Sequence, residues 1–424
     1  MVLPQGPRWG PLLEARRAGP QAPLCVVVAE YSSQDWVMNT LPYVDFSSSL
    51  HSRAVARRAP VNGTIELTRR CPLRCLHCYN NLPAGDREAR SSELSFNEHC
   101  RILDEIADAG CLWLLYTGGE ILAREDFLDI YTYAKKKGLI VSLFTNGTLI
   151  DERVADTLSE WRPFSVEVSI YGRTKETFEQ ITRVPGSYER FMRGIRLLKE
   201  RNLPLLLKTM VLTENRHEIG DMKRFAVQDL GLEFRYDAML NPRVDGSRGP
   251  LRLRLTPEEI VALDVQDPAR GEEWRTLAKR FNGTHRLHEP PEKLYRCGGG
   301  LTSFAIDPYG NMGVCTLSQH NRWHLRSGDF ETGWSEFLSQ LRQKTVSRPS
   351  KCINCSIRDL CTMCPVNGEL ENDDPETPVE FFCRIAHLRA LALHIPVTPH
   401  GRCEYCEGGI EHRRLMDTAA ALKR

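Results

Sequence analysis

Thr64-Ile-Glu-Leu-Thr-Arg-Arg-Cys71-Pro-Leu-Arg-Cys75-Leu-His-Cys78-Tyr79 begins as a strand-like run and ends as a loop carrying three cysteines spaced CxxxCxxC. Three thiolates are one short of a closed iron–sulfur or zinc site. Cubane clusters are normally held by four cysteines, so a three-cysteine loop at the C-terminal edge of a strand leaves one iron open to an outside ligand. The alternative for such a loop is a zinc knuckle.

Bulk properties narrow the setting of that loop. At about 150 residues per domain, 424 residues suit one large domain and a smaller one. The net charge is +1, from 56 basic and 55 acidic side chains. No global field therefore concentrates nucleic acid or anionic lipid, and neither is an expected partner. No apolar run reaches the roughly 18 residues of a membrane span, and the short Leu24–Ala29 stretch lacks the length and cleavage context of a secretory signal. A cytoplasmic location is expected. In that reducing compartment clustered cysteines bind metal or do chemistry rather than form a disulfide framework. Of the 15 cysteines, three lie in residues 71–78 and nine between Cys297 and Cys406. Cys25, Cys100 and Cys111 stand alone and read as small apolar residues.

Residues 1–60, rich in Pro, Gly and Arg, read as a partly extended, irregular segment. From Gly63 apolar runs recur at Thr64–Thr68, Leu112–Tyr116, Leu139–Phe144, Phe164–Ile170, Leu205–Leu212 and Leu232–Ala238, each interval leaving room for a helix. The first helix is signalled by a Ser95/Glu98 capping box and by Gly110 as its stop. Others are expected at Asp126–Lys137, Asp151–Trp161, Ser187–Arg201 and Arg216–Leu230. Six β–α units in series, joined by right-handed crossovers, predict an α/β fold over residues 61–240, a parallel sheet curled into a partial (β/α)6 barrel. Its active site belongs at the C-terminal ends of the strands. Residues 241–293 read as a linker with a helix near Pro257–Leu263, residues 294–390 as a small cysteine-rich domain, and residues 391–424 as a tail.

The cysteine spacing resembles that of the radical S-adenosylmethionine (SAM) superfamily, and further motifs stand where that family has them. Thr117-Gly118-Gly119-Glu120 looks like its GGE motif, 40 residues after Cys78. Phe144-Thr-Asn146-Gly follows the third strand, and Glu167-Val-Ser169-Ile-Tyr171-Gly the fourth. The resemblance implies that Cys71, Cys75 and Cys78 hold a 4Fe–4S cluster whose open iron takes the amino and carboxylate groups of SAM. It further implies that Gly118, Gly119 and Glu120 approach the methionyl part, that Asn146 belongs to the same site, that Ser169 meets the ribose, and that Arg183 pairs with the SAM carboxylate.

Beyond residue 294 the pattern is Cys297, Gly310-xxxx-Cys315, Cys352-xx-Cys355-xxxxx-Cys361-xx-Cys364 and Cys383. Asp307-Pro-Tyr-Gly310 between two short apolar runs predicts a hairpin that brings Cys297 and Cys315 near its base. These seven cysteines resemble the SPASM domain, with two residues between Cys361 and Cys364 where that family commonly has three. The resemblance implies two auxiliary 4Fe–4S clusters, one on Cys352, Cys355, Cys361 and Cys383, the other on Cys297, Cys315 and Cys364. The second set is one thiolate short, and Cys403-Glu-Tyr-Cys406 in the tail is expected to supply at least one ligand to it. A redox-inert or zinc-binding tail is the alternative for that pair, as a zinc ribbon is for the two upstream CxxC pairs.

The resemblance implies an enzyme that cleaves SAM reductively and abstracts hydrogen from substrate. The leading expectation is maturation of a ribosomally made peptide or protein, with a flavodoxin or ferredoxin as reductant and a separate leader-binding protein. Alternatives are small-molecule or cofactor biosynthesis, including dehydrogenation or tetrapyrrole modification, and a non-catalytic iron–sulfur or zinc scaffold. Sulfatase maturation is disfavoured because Thr316 stands where those enzymes resemble one another in having aspartate.

Overall fold

Alternating burial along each apolar run is what curls this chain. In the computed structural model, which describes residues 42–282 and 292–422, six parallel strands stand in chain order: β1 (Asn62–Glu66), β2 (Trp113–Thr117), β3 (Ile140–Thr145), β4 (Ser165–Ser169), β5 (Leu205–Met210) and β6 (Glu233–Asp237). Each matches an expected run to within two or three residues at either end. Leu114, Leu143, Val166, Val168 and Leu207 point to one face and join the main apolar core. Helices α2 (Phe96–Asp108), α3 (Phe127–Lys136), α4 (Glu152–Glu160), α5 (Lys175–Thr182) and α6 (Ser187–Glu200) fill the crossovers. The other face, carrying Ser142, Phe144, Glu167, Ser169 and Lys208, is only half-buried. It lines the inside of the partial barrel.

Local signals set the element ends. The Ser95 hydroxyl accepts from the Glu98 N–H while the Glu98 carboxylate accepts from the Ser95 N–H at 2.7 Å, so the capping box of α2 is closed. Gly110 takes the left-handed conformation just past that helix, with φ of 92°. The stretch expected as one helix at 216–230 is broken into a 3-10 turn, a short α-helix (Ile219–Arg224) and a π turn.

Two expectations about organisation change, and a third falls outside the described residues. Residues 1–41, Cys25 among them, lie outside the described residues. Within residues 42–60, read as irregular, Tyr43–Arg57 forms helix α1, whose Tyr43, Phe46 and Leu50 cover Trp113 at the bottom of β2. The supposed linker carries the helix expected near Pro257–Leu263, as α7 (Pro257–Gln266), and also a second one, α8 (Pro268–Asn282). Ile260 and Val261 share a core with Phe382, Ile385 and Leu388 of α9 (Glu380–Ala392), and with Leu415 and Ala419 of the C-terminal helix α10 (His412–Ala421). Asp264 at 1 % side-chain exposure pairs with Arg389 at 0 %, fastening α7 to α9. A charged surface on both helices hid this packing from a periodicity reading.

The cysteine-rich region is not a free-standing module. Its hairpin, β7 (Ser303–Ile306) and β8 (Asn311–Gly313), adds to the exposed edge of β1, with β7 parallel to it and Gly63 opposite Phe304. A short ninth strand, β9 (Trp323–His324), completes the sheet. Asp307 closes the hairpin turn by accepting from the Tyr309 and Asn311 N–H groups and from Arg322. An open parallel sheet needs its edges covered, and this hairpin covers one.

His99 on α2 is 1 % exposed, with neither ring nitrogen hydrogen-bonded. Burial holds its pKa down at about 3 against an ordinary 6.5. Between these values the unfolded chain binds the extra proton, so stability falls as pH drops below about 6.5. We expect about 2 kcal/mol from this residue to be lost between pH 7 and about pH 5. Denaturant midpoints measured at both pH values should show that loss in the wild type and a smaller one in His99→Leu.

Candidate active site

The loop leaving β1 is held by main-chain contacts on both sides. Leu67 N–H donates to Thr117 O, Gly119 N–H to Thr68 O at 2.7 Å and Glu120 N–H to Arg70 O at 2.9 Å. A Cβ on Gly118 would lie 2.2 Å from Thr68 O, and one on Gly119 would lie 2.5 Å from both Arg69 O and Arg70 O. The structural reason for this glycine pair is thus the crossing of two backbones. Sequence reasoning had assigned the same lack of Cβ to close approach by SAM. Gly118 also has φ of 135°, which disfavours any other residue. On the far side, Arg74 and Leu76 N–H groups donate to Thr182 O and Ile181 O at the end of α5.

Buried charge locks the same loop. Arg70 makes a two-pronged pair with Glu93, at 2.9 Å on each side, and Glu93 also receives the Thr68 hydroxyl and Arg124. Arg124 reaches on to Leu67 O, Leu94 O and Asp126. Arg70, Glu93 and Arg124 are each under 10 % exposed, so removing one partner strands charge in the interior at a cost of about 3–5 kcal/mol.

Cys71, Cys75 and Cys78 therefore stand together on a rigid turn. Burial pushes all three thiols up, and each of Cys71 and Cys75 is raised further by its neighbours in the trio. Unassisted they would stay protonated. Arg243 offsets part of the rise at Cys78; iron would supply the rest of the positive charge, and three mutually close sulfurs, one buried and two half-buried, fit a cluster. The Asn146 amide donates to Cys71 Sγ at 3.5 Å, and Leu73 N–H does so at 3.4 Å. Asn146 is itself set by Thr148, whose N–H and hydroxyl donate to its Oδ1.

Of the other residues expected at the site, Glu120 is fully buried and its carboxylate accepts from Thr145 Oγ1, Asn146 N–H and Leu122 N–H, tying the ends of β2 and β3 together. Ser169 ends β4, two residues before Tyr171. The Tyr171 ring lies 5.0 Å from His77 on the cysteine loop. Arg183 is exposed and left-handed, with φ of 59°, as the C-cap of α5. It borders a recess of about 410 Å³ with Arg74 and Leu76. A larger cleft of about 580 Å³ beside Arg173 and Phe225 has no cysteine in its lining.

Sequence reasoning missed the charge inside the barrel. Lys208 on β5 lies 3.3 Å from Glu167 on β4 and packs over the Phe144 ring, with Arg235 of β6 at 3.9 Å from Glu167. Desolvation pulls the Lys208 pKa down to about 8, against the opposing pull of Glu167. Charged residues at inward positions of strands whose outward positions are apolar were the available signal.

Beyond the barrel, two sets of thiols form. Burial raises all three of Cys315, Cys383 and Cys355, and neighbouring thiols add to it: Cys364 and Cys297 at Cys315, Cys361 and Cys352 at Cys383, and Cys361, Cys352 and Cys403 at Cys355. Cys403 and Cys406 are placed elsewhere than expected, against His387 and His400 rather than beside Cys297.

A model of the Radical SAM superfamily matches residues 65–226. An AdoMet-dependent heme synthase of Methanosarcina barkeri is 35% identical over 323 residues, covering 70% of this chain and 89% of that protein. The mycofactocin maturase MftC of Mycobacterium ulcerans is 29% identical over 321 residues, 72% of this chain and 82% of the maturase. The structure of Streptococcus suis SuiB bound to its precursor peptide SuiA aligns over 82% of this chain and 83% of its own, with a TM-score of 0.57 at 17% identity. That last likeness is one of fold.

The glycine crossing gives a direct expectation. Gly119→Ala, adding a single Cβ against two carbonyls, should displace the cysteine loop and lower cluster occupancy along with thermal stability, whereas Gly138→Ala, at a left-handed but uncrowded position, should cost about 1 kcal/mol and leave iron unchanged. Iron analysis and thermal denaturation of anaerobically purified proteins measure both.

Proposed function

The chain belongs to the radical SAM superfamily, with a SPASM-type cysteine-rich C-terminal region, and from that premise we propose that it uses SAM to abstract hydrogen from a peptide or protein substrate during maturation. As a member of that superfamily it is an enzyme that binds a 4Fe–4S cluster and SAM, which replaces the scaffold alternative. With both bound, one-electron reduction cleaves SAM and delivers a 5′-deoxyadenosyl radical to the substrate. The observation that carries the reading is the convergence of Cys71, Cys75 and Cys78 on the loop leaving β1, with Cys71 against Asn146 just past β3 and His77 beside Tyr171 just past β4.

In this reading the three cysteines hold the cluster, and Asn146 and Leu73 N–H temper the charge on Cys71. Gly118, Gly119 and Glu120 shape the wall against which SAM lies, Ser169 takes the ribose, and Arg183 closes the outer rim. Lys208, with a pKa of about 8, holds or passes a proton at its Nζ, and Glu167 and Arg235 orient it. Cys352, Cys355, Cys361 and Cys383 hold one auxiliary cluster, and Cys297, Cys315 and Cys364 the other. A flavodoxin or ferredoxin supplies the electron in the cytoplasm, and a separate protein presents the peptide leader. Among the described residues no helix is long and apolar enough to cross a membrane.

A second reading, modification of a tetrapyrrole, is favoured by the 35% identity to a heme synthase over most of its length. The cationic Lys208 and Arg235 inside the barrel suit carboxylate side chains of such a substrate.

Replacing Cys71, Cys75 and Cys78 together by Ala should abolish 5′-deoxyadenosine formation after chemical reduction, read by liquid chromatography, while auxiliary iron stays bound. Continued formation would overturn the assignment of the loop. The two substrates separate by which one, a precursor peptide or an iron porphyrin, raises 5′-deoxyadenosine above the uncoupled rate and changes mass. Lys208→Met should lower that substrate-dependent increment at least tenfold, a barrier change of about 1.4 kcal/mol, and leave uncoupled cleavage intact.

A further inference from the structure

We infer that the C-terminal tail binds a structural zinc ion through His387, His400, Cys403 and Cys406. One ligand atom from each of these four residues lies within 4.8 Å of every other, and all four residues are buried. His387 Nε2 is 3.4 Å from Cys403 Sγ and 3.5 Å from Cys406 Sγ, and the His400 ring lies 3.5 Å from Cys406 Sγ at Nδ1 and 4.0 Å at Nε2. Zinc bonds of about 2.0–2.1 Å to nitrogen and about 2.3 Å to sulfur, set tetrahedrally, require ligand separations of about 3.4–3.8 Å. The side chains already stand close to that spacing.

The orientation of the His387 imidazole is the second, independent observation. His387 Nδ1 is 2.8 Å from Cys383 O, and His400 Nδ1 is 3.0 Å from Thr398 O. A carbonyl oxygen only accepts, so the His387 Nδ1 carries the proton and its Nε2 lone pair is turned to both sulfurs, while the His400 ring stands edge-on to Cys406 Sγ, with Nδ1 at 3.5 Å and Nε2 at 4.0 Å. Metal-bound histidines are fixed in this way by their other nitrogen. The two cysteines sit on a tight turn closed by Gly409 N–H on Cys406 O, and a Cβ at Gly409 would lie 2.3 Å from Glu404 O. That turn presents both sulfurs to one point. Lys351, bonded to Glu380 and Glu404 at 2.7 Å each, clamps it to the start of α9.

Four protein ligands with no place left for water make a closed, structural site. It pins residues 400–409 to α9 one turn beyond Cys383, so the tail braces the helix that carries a proposed auxiliary-cluster ligand. Nothing in this assignment depends on which substrate the barrel takes.

Metal analysis of anaerobically purified, full-length holoenzyme tests it. We expect about one zinc per chain in addition to iron. Cys403→Ser/Cys406→Ser should lose the zinc and keep the iron and labile sulfide. His400→Cys should retain the metal, and after exchange of zinc for cobalt(II) should show tetrahedral ligand-field bands with stronger sulfur charge transfer than the wild type. Wild-type protein that contains no zinc and takes up neither zinc nor cobalt at this site would overturn the inference. So would loss of iron and sulfide, in place of zinc, from the cysteine double variant, which would put the pair on an iron–sulfur cluster. If the double variant fails to fold, the cobalt spectra of wild type and His400→Cys decide alone.

Discussion

Everything at the site depends on one backbone crossing. The turn after β2 passes beneath the exit of β1 so closely that two consecutive residues have no room for a Cβ, and Gly118 and Gly119 occupy those positions. The crossing converts two strand ends into a single rigid floor, because Gly119 and Glu120 N–H groups each satisfy a carbonyl of the cysteine loop. Three thiols are then held together at the strand ends, beside the main apolar core that Leu67, Ile121 and Ile170 join.

Around that floor the chain spends polar groups sparingly. The Arg70–Glu93–Arg124 set is buried and fully matched, so it specifies one loop position instead of adding much net stability. Glu120 does the same for the ends of β2 and β3, and Asn146 passes its orientation from Thr148 to Cys71. The side chains nearest the sulfurs are thus themselves held, which is the condition for a site with reproducible redox behaviour.

The C-terminal half is built onto this barrel at two places. Its hairpin extends the sheet beyond β1, and its helices α7, α9 and α10 share an apolar core that also takes in Val211 and Ala238 from the ends of β5 and β6. The auxiliary thiols are consequently fixed relative to the first three by strand pairing and by packing.

By itself the sequence determined the strand order, the crossovers, the cysteine loop and the hairpin, because each rests on short-range periodicity, capping or turn chemistry, as at Ser95/Glu98 and Asp307–Gly310. It also marked Cys71, Cys75, Cys78, Gly118, Gly119 and Asn146, which tertiary structure then gathered around one point. What only the tertiary structure decided are contacts between residues far apart in the chain. Of the helices of residues 257–282 the first was signalled near Pro257, but α8 and the packing of both against α9 became recognisable only in the fold. Lys208 and Glu167 meet only because adjacent parallel strands align in register. The partners of Cys403 and Cys406 were likewise out of reach of spacing arguments. His387 lies 16 residues from Cys403 on a helix with no metal-binding motif, and only the fold-back of the tail brings its Nε2 to the two sulfurs.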